Sequence, residues 1–319
     1  MDLYNTDYKI TKPLRLIELF AGYGSQALAL KKIGIPFEHH FVCEFDKYAV
    51  KSYNAVHGTN YTPLDIRNIT GKDLNIKDTD KYCYLMTYSF PCTDLSVAGK
   101  MKGMRKGSGT RSGLLWEVER LLNECEALPQ ILFMENVPQV IAKKNIDDFK
   151  LWLRFLESKG YNSHYQVLNA KDYGIPQNRN RCFMFSFLGN YDYIFPTPVP
   201  LKRKLKDILE EKVDEKYYIN SDRAKKLIES FIQRTENREQ RTEKLSILPT
   251  QEVNTSQYHR QLQQDIMPEY ASTKKKELVY LNARKIYKVN CSVAKTLCAR
   301  DYKGFGTGFA SMNGVIEKK

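Results

Sequence analysis

The chain has 319 residues, 42% of them apolar, and a formal net charge of +13 at pH 7. This length accommodates one large domain or two of ordinary size, each with its own core. No apolar run approaches the roughly 20 residues that span a bilayer, and the polar N-terminus, MDLYNTDYKITKPLR, lacks the apolar stretch of a secretory signal. We therefore expect a cytoplasmic protein without a membrane segment.

The spacing of cysteines and histidines argues against disulfide-rich and metal-centred proteins. The seven cysteines are odd in number, scattered and contain no Cys-x-x-Cys pair, and the five histidines show no ligand spacing. We expect neither a disulfide framework nor a bound metal.

Positive charge is concentrated in the C-terminal third. Residues 201–319 contain 25 basic and 16 acidic residues, a net +9, whereas residues 1–200 contain 25 and 21, a net +4. Such a segment is typical of a polyanion-binding protein, because each neutralised phosphate releases condensed counterions. A solvated lysine-rich surface has the same composition, so both interpretations stay open.

Short apolar runs alternate with helical patterns up to about residue 188, which indicates βα units around a parallel sheet. In chain order, the patterns predict a strand at 14–20, a helix at 25–33 that Gly34 can end, strands at 37–45 and 82–90, a helix at 113–124, a strand at 130–136, a helix near 146–158, and strands at 163–168 and 181–187. The predicted fold is α/β, with a doubly wound, mainly parallel sheet.

Three prolines at 196, 198 and 200 interrupt this pattern and indicate a domain boundary. Beyond them, residues 203–245 have mostly helical patterns, and residues 285–310 contain short strand-like runs around glycines.

The segment ELFAGYGSQ at 18–26 places Gly22 and Gly24 between the first strand and the first helix. A backbone without side chains at such a turn lets a nucleotide-like ligand approach closely. Glu44 follows at a strand end, where a Rossmann-type site places a carboxylate on ribose hydroxyls. Because the turn lacks the third glycine of the dinucleotide fingerprint, the pair favours an adenosine-containing cofactor without a pyrophosphate. A tight turn beside an exposed glutamate is the structural alternative.

The stretch Ser89-Phe90-Pro91-Cys92 ends a predicted strand and leads into a basic, glycine-rich segment at 99–113. Sites in α/β proteins form at the carboxyl edge of the parallel strands, and nearby cations favour the thiolate form of a cysteine. Cys92 is therefore a candidate nucleophile. The alternative is that it packs as a small apolar residue, as most lone cysteines do.

Two further polar stretches flank predicted strands. Glu135-Asn136-Val137-Pro138 follows the apolar run ILFM, and QNRNR at 177–181 precedes CFMFSF. A carboxyl group at a strand end lies in the cleft, and Arg179 and Arg181, two residues apart, can point the same way from an extended chain. Taken alone, each stretch is also compatible with a structural salt bridge.

Together these blocks resemble those of a known family. FAGYGSQ, EFD at 44–46, LDI at 64–66, SFPCTDLSVAGKMKG, RSGLLWEVERLL, ENV and PQNRNR occur in the order and approximate spacing of the conserved blocks of DNA (cytosine-5) methyltransferases. The PCTDLSVAGK block is similar to that of the bacterial and phage enzymes rather than to that of their tRNA-methylating relatives. The resemblance implies a Rossmann-like, S-adenosylmethionine-dependent methyltransferase domain at 1–189 and a smaller, variable target-recognition region at 190–319.

The implied activity is methyl transfer from S-adenosylmethionine to C5 of a cytosine flipped out of double-stranded DNA, as in restriction-modification. Because C5 is a weak nucleophile, Cys92 would add to C6 and convert the ring to an enamine. Glu135 would hydrogen-bond the N3 edge, and Arg179, with or without Arg181, would address O2 and brace the Cys92 loop. The residues implied for the cofactor are Phe20 on adenine, Gly22 and Gly24 along the methionine portion, Glu44 on ribose, Asp65 on the adenine amino group, and Pro91.

The family usually continues after its variable region with an arginine-containing block, a GNS-like turn and a helix, whereas this sequence ends at SMNGVIEKK. The expectation is a catalytic architecture that is incomplete on its own. Three interpretations stay open: a truncated gene, a split enzyme in which a second polypeptide supplies the end, and an inactive DNA-binding remnant. A nucleotide-dependent dehydrogenase would need a phosphate-binding turn, and RNA cytosine methylation would share all the catalytic residues.

Overall fold

The computed structural model describes residues 8–95, 102–212 and 214, helical positions 222, 229 and 233, and the backbone of four strands beyond residue 277. Contacts divide the chain into two compact units: Met1–Tyr173 with Arg179–Pro200, and Gly174–Asn178 with Leu201–Lys319. The functional boundary predicted between residues 189 and 190 stays a prediction.

In chain order, the strands are β1 (Leu14–Leu19), β2 (Phe37–Cys43), β3 (Cys83–Tyr88), β4 (Ile131–Asn136), β5 (Tyr161–Asn169), β6 (Gln177–Asn178), β7 (Asn180–Leu188), β8 (Leu278–Asn282), β9 (Lys285–Lys288), β10 (Ala294–Lys295) and β11 (Asn313–Glu317). The α-helices are α1 (Ser25–Lys32), α2 (Lys47–His57), α3 (Leu115–Glu124) and α4 (Ile146–Ser158).

The first unit is built on a six-stranded sheet with the order β2-β1-β3-β4-β7-β5. The first four strands of this order are parallel, and β7 lies antiparallel between β4 and β5. The predicted mainly parallel α/β fold is confirmed. Because β7 runs in reverse, its first residues lie beside the last residues of β4, which brings Cys182 opposite Asn136.

Helices cover both faces of the sheet, which explains why all six residues of β3 are buried. On one face, Met86 belongs to a core that includes Leu121 of α3 and Trp152 of α4. On the other face, Leu85 belongs to a separate core that includes Ala27 of α1. Alternate residues of one strand thus contribute to different cores, as the two-residue period of a strand requires.

Helix α2 was not predicted, and the strand predicted at 37–45 ends two residues early, at Cys43. The Asp46 side chain accepts hydrogen bonds from the backbone N–H groups of Tyr48 and Ala49, which caps the helix and ends the extended segment. The helix buries only Val50 and Tyr53, so its apolar periodicity is weak.

In the second unit, β6 pairs parallel with β10, and β11, β8 and β9 form an antiparallel sheet. A short 3₁₀ turn spans Leu205–Ile208. Most of the helical pattern predicted at 203–245 and of the strand-like runs predicted at 285–310 lies outside the described residues. Across the part of the chain that the structure describes, no helix has the length and apolarity to cross a bilayer.

Candidate active site

The predicted catalytic residues converge at the carboxyl edge of the parallel strands. Cys92 follows β3, and Glu135 is the penultimate residue of β4. Arg179 directly precedes β7, and Arg181 lies in it. The reversed direction of β7 brings both arginines back to the end of β4.

A carboxylate held by two guanidinium groups forms the centre of this cluster. Arg181 Nε lies 2.8 Å from Glu135 Oε1, and Arg179 Nη2 lies 3.8 Å from the same oxygen. The side chains of Glu135 and Arg181 are 23% and 17% exposed, so the pair is partly shielded from water but still reachable. The positive charge of both guanidinium groups attracts the Glu135 carboxylate.

Cys92 belongs to the same electrostatic environment. Burial lowers the pKa of Arg179, and the Arg181 guanidinium lowers it further, whereas Glu135, Cys92 and Tyr23 oppose these effects. Cys92, Glu135 and Tyr23 thus all belong to the electrostatic surroundings of Arg179. Tyr23, which is 52% exposed, was not among the predicted site residues.

The backbone before Cys92 is held by neighbouring elements. The buried Asn136 side chain donates to the Phe90 carbonyl at 3.0 Å, and the Ser112 hydroxyl donates to the Pro91 carbonyl at 2.6 Å. The asparagine of the Glu-Asn-Val block therefore has a structural role, since it connects the end of β4 to the segment that carries Cys92.

The structure describes the C-terminal part of the basic segment after Cys92, from residue 102 onward. Trp116 Nε1 donates to the Met104 carbonyl at 2.7 Å, and Lys106 Nζ lies 2.6 Å from a Glu119 carboxylate oxygen. These contacts anchor this part of the segment to α3. The predicted loop residues 96–101 lie outside the described residues.

The two glycines of the turn differ in their surroundings. Gly22 has φ +58° and open space where a side chain would begin, whereas a Cβ on Gly24 would lie 2.3 Å from His57 Nε2 and 2.6 Å from Tyr53 Cε2. Gly22 therefore borders accessible space. Gly24 permits close packing of the turn against α2. The glycine is therefore needed here for packing, whereas the sequence predicted a contact with a ligand.

Two carboxylates lie on the same side of the sheet edge as this turn. Glu44 accepts the backbone N–H of Gly22 and that of Asp46, both at 2.8 Å, and its own carbonyl accepts the N–H of Leu64. The neighbouring Asp65 pairs with Arg67, whose hydrogen bonds and charge keep the pKa of that carboxyl below its usual value. Glu44 thus connects the glycine turn to the segment that carries Asp65.

The glycine turn, Glu44 and Asp65 form the predicted cofactor half of the site, and an exposed aromatic ring lies beside them. Phe45 follows Glu44 and is 70% exposed, although a phenylalanine is normally buried. Its position in the EFD block is a signal that sequence reasoning could have used. A carboxylate for a diol, an aromatic face for a purine and open space at Gly22 fit an adenosine-type ligand such as S-adenosylmethionine.

The mostly parallel, Rossmann-like sheet, with the candidate residues at the carboxyl edge of its parallel strands, is the architecture of S-adenosylmethionine-dependent methyltransferases. Within this class, the family model described as C-5 cytosine-specific DNA methylase matches residues 14–301. The chain belongs to the C-5 cytosine-specific DNA methylase family.

Curated relatives agree with this assignment. The type II methyltransferase M2.ScrFI of Lactococcus lactis subsp. cremoris is 35% identical over 259 residues, covering 66% of this chain and 71% of the relative. The orphan methyltransferase M.SssI of Spiroplasma monobiae is 34% identical over 265 residues, covering 66% and 68%.

Solved structures support the fold. A Dnmt2 methyltransferase from S. pombe superposes with a TM-score of 0.53 at 24% identity, and the methyltransferase EhMeth from Entamoeba histolytica with 0.55 at 21%. Each match covers 66% of this chain and 64% of the other, so the chain matches just under two thirds of either structure.

Proposed function

We propose that the chain transfers a methyl group from S-adenosylmethionine to C5 of a flipped-out cytosine in duplex DNA, through a covalent bond between Cys92 and the base. The observation that carries the proposal is the carboxylate of Glu135, held 2.8 Å from Arg181 within a cluster that includes Arg179 and, electrostatically, Cys92. A nucleophile and a fixed proton-sharing group on adjacent strands are what addition to a pyrimidine requires.

In this mechanism the Cys92 thiolate forms a bond to C6, and the displaced ring electrons move toward N3, where a proton is shared between the base and the Glu135 carboxyl group. Arg179 and Arg181 keep the carboxyl group oriented and stabilise charge that develops toward O2. S-adenosylmethionine, when bound, supplies the electrophilic methyl group that C5 then accepts. A base removes the C5 proton, the C5–C6 double bond forms again, and the thiolate leaves.

For the cofactor we propose Phe20, Gly22, Gly24, Glu44, Asp65 and Pro91. The open space beside Gly22 and the lone pairs of Glu44 that accept no backbone hydrogen bond support this set. Gly24 packs against α2, so its role in cofactor binding is to shape the turn rather than to contact the ligand. The exposed Phe45 is added as a second aromatic contact for adenine.

For DNA we propose that residues 1–189 carry catalysis and residues 190–319 recognise the target sequence, in a setting of restriction-modification or self-protection. The net charge of +9 in residues 201–319 suits phosphate contacts, which supply affinity, while base-edge contacts supply specificity. Reaching C5 requires the base to leave the stack, at a cost of a few kcal/mol.

A covalent trap tests the mechanism. A library of duplexes containing 5-fluorocytosine is incubated with the chain and S-adenosylmethionine, because a fluorine at C5 cannot be removed as a proton and the adduct persists. We expect a denaturation-resistant adduct whose bound peptide contains Cys92. Cys92→Ser should abolish it, and Cys125→Ser, which changes another half-buried cysteine, should retain it.

The reaction is repeated with the part of M2.ScrFI that lies outside the alignment supplied as a second chain, because the aligned region covers 71% of that relative. An adduct that forms only then would identify a subunit that needs a second polypeptide. No adduct under either condition, despite DNA binding, would contradict the catalytic proposal and favour a DNA-binding protein without turnover. Adducts with tRNA but not with duplex DNA would assign an RNA substrate.

A further inference from the structure

The three residues that precede Cys92 are each tied to a different element. The carbonyls of Phe90 and Pro91 are held by β4 and by the turn before α3, as described above. The remaining contact joins Ser89 to the cofactor half of the site: Gln26 Nε2 donates to the Ser89 hydroxyl at 3.1 Å.

Gln26 lies in the first turn of α1, two residues after Gly24, and is itself oriented. The Ser25 hydroxyl donates to Gln26 Oε1 at 2.9 Å, which leaves the amide N–H₂ directed at Ser89. Both Gln26 and Ser89 are half-buried, so the bond is partly protected from competing water.

The turn that precedes Gln26 borders the open space at Gly22. The turn is also bonded to the cofactor half, since the Gly22 N–H donates to Glu44. A displacement of the turn by a ligand at Gly22 is therefore passed through Gln26 to the segment that carries Cys92.

We propose that Gln26 is a positioning residue that makes the placement of Cys92 depend on methyl-donor binding, through its hydrogen bond to Ser89. This inference rests on the proposed function. Its chemical consequence is that attack on C6 becomes favourable when a methyl group is present to trap the enamine. A neutral hydrogen bond of this kind has an effect of about threefold to tenfold on an equilibrium or rate.

Alkylation of Cys92 reports the coupling without turnover. The full chain is treated with iodoacetamide, with and without S-adenosylhomocysteine as the bound probe, and the Cys92 peptide is quantified by mass spectrometry. In the native chain we expect the probe to change the alkylation rate about threefold or more. Cys125 is the internal reference, because burial raises the pKa of its thiol to about 11.

Gln26→Met keeps the length of the side chain and removes the donor. We expect it to reduce the probe's effect on Cys92 to less than about 1.5-fold, with S-adenosylhomocysteine affinity by calorimetry within about threefold of native. Ser89→Ala should do the same, and the double variant should be no worse than either single variant. Ser89→Thr, which keeps the hydroxyl acceptor, should retain the response, as should Gln166→Met at an exposed position of β5.

The midpoints of thermal unfolding show whether each variant is folded. If Gln26→Met does not fold, Ser89→Ala serves as the test of the hydrogen bond in its place. A full probe effect in folded Gln26→Met or Ser89→Ala would overturn the inference, as would a native Cys92 that ignores bound S-adenosylhomocysteine. Absence of S-adenosylhomocysteine binding, both to the native chain alone and with the M2.ScrFI segment added, would instead overturn the proposed function, and this inference with it.

Discussion

At the scale of single residues, the side chain with the largest expected effect on the chemistry is Glu135. Gln has the same shape and can still hydrogen-bond, but it cannot exchange a proton with N3, and it leaves Arg181 without the carboxylate that it contacts at 2.8 Å. We expect Glu135→Gln to lower the single-turnover methylation rate about a hundredfold or more. Tritium transfer from labelled S-adenosylmethionine to duplex DNA measures this.

Glu117→Gln is the matched control, since Glu117 also pairs with an arginine, Arg120, but within α3. Its rate should stay within about twofold of native. A Glu135→Gln rate within a few fold of native would remove the carboxyl group from the mechanism.

Gly22 and Gly24 show what a motif can and cannot predict at this scale. Their spacing indicates a tight turn between strand and helix, and the structure contains one. Which glycine faces open space depends on the placement of α2, whose His57 and Tyr53 surround Gly24. Because these side chains are about thirty residues away in the chain, the motif carries no information about them.

At the scale of elements, strands were easier to predict than the helix that contacts the site. The strands of a covered sheet are continuous apolar runs, and β3 and β4 were predicted within two residues of their observed ends. Helix α2 lies at the edge of the sheet and presents mostly polar residues, so its best signal is its cap, Asp46.

The Asp46 cap leads to a stability prediction. Asp46→Ala removes the acceptor for two N–H groups at 2.8 and 3.0 Å and should destabilise the first unit by about 1 kcal/mol. Urea unfolding monitored by circular dichroism gives the value. Asp147→Ala, in the first turn of α4, removes a charge without a capping bond and should cost only a few tenths of a kcal/mol. Equal losses would show that Asp46 acts through charge rather than as a cap.

At the scale of the whole molecule, stability should fall as the solution becomes acidic, partly through His39. Its Nδ1 lies 2.7 Å from the Tyr53 hydroxyl, its Nε2 is buried without a hydrogen-bond partner, and burial, with Lys31 and His57, lowers its pKa to about 4. The unfolded chain takes up a proton near pH 6.5, before the folded chain does. The His39 contribution is therefore complete above pH 6.5 and is lost as pH falls toward 4.

Between pH 7 and pH 5 this loss amounts to about 1–2 kcal/mol. In His39→Gln, the free energy of unfolding should depend less steeply on pH over this interval, as measured by urea titration at each pH. The slopes of the unfolding free energy against pH are compared, rather than its values at one pH, because the substitution also changes the bond to Tyr53. Burial raises the pKa of nearby Glu18 in both proteins, so its effect is common to the two slopes. An unchanged slope in His39→Gln would contradict the argument.

The sequence by itself determined the α/β alternation and the order of the blocks that carry the candidate cysteine, glutamate and arginines, because periodicity and short motifs are local properties. The tertiary structure decided which of these groups meet: Arg181 contacts Glu135 because β7 runs antiparallel to β4 and faces it in one register. It also decided that Gly24 packs against α2 and that Gln26 reaches Ser89. These contacts join residues far apart in the chain, and strand order, direction and helix packing are set by the core as a whole.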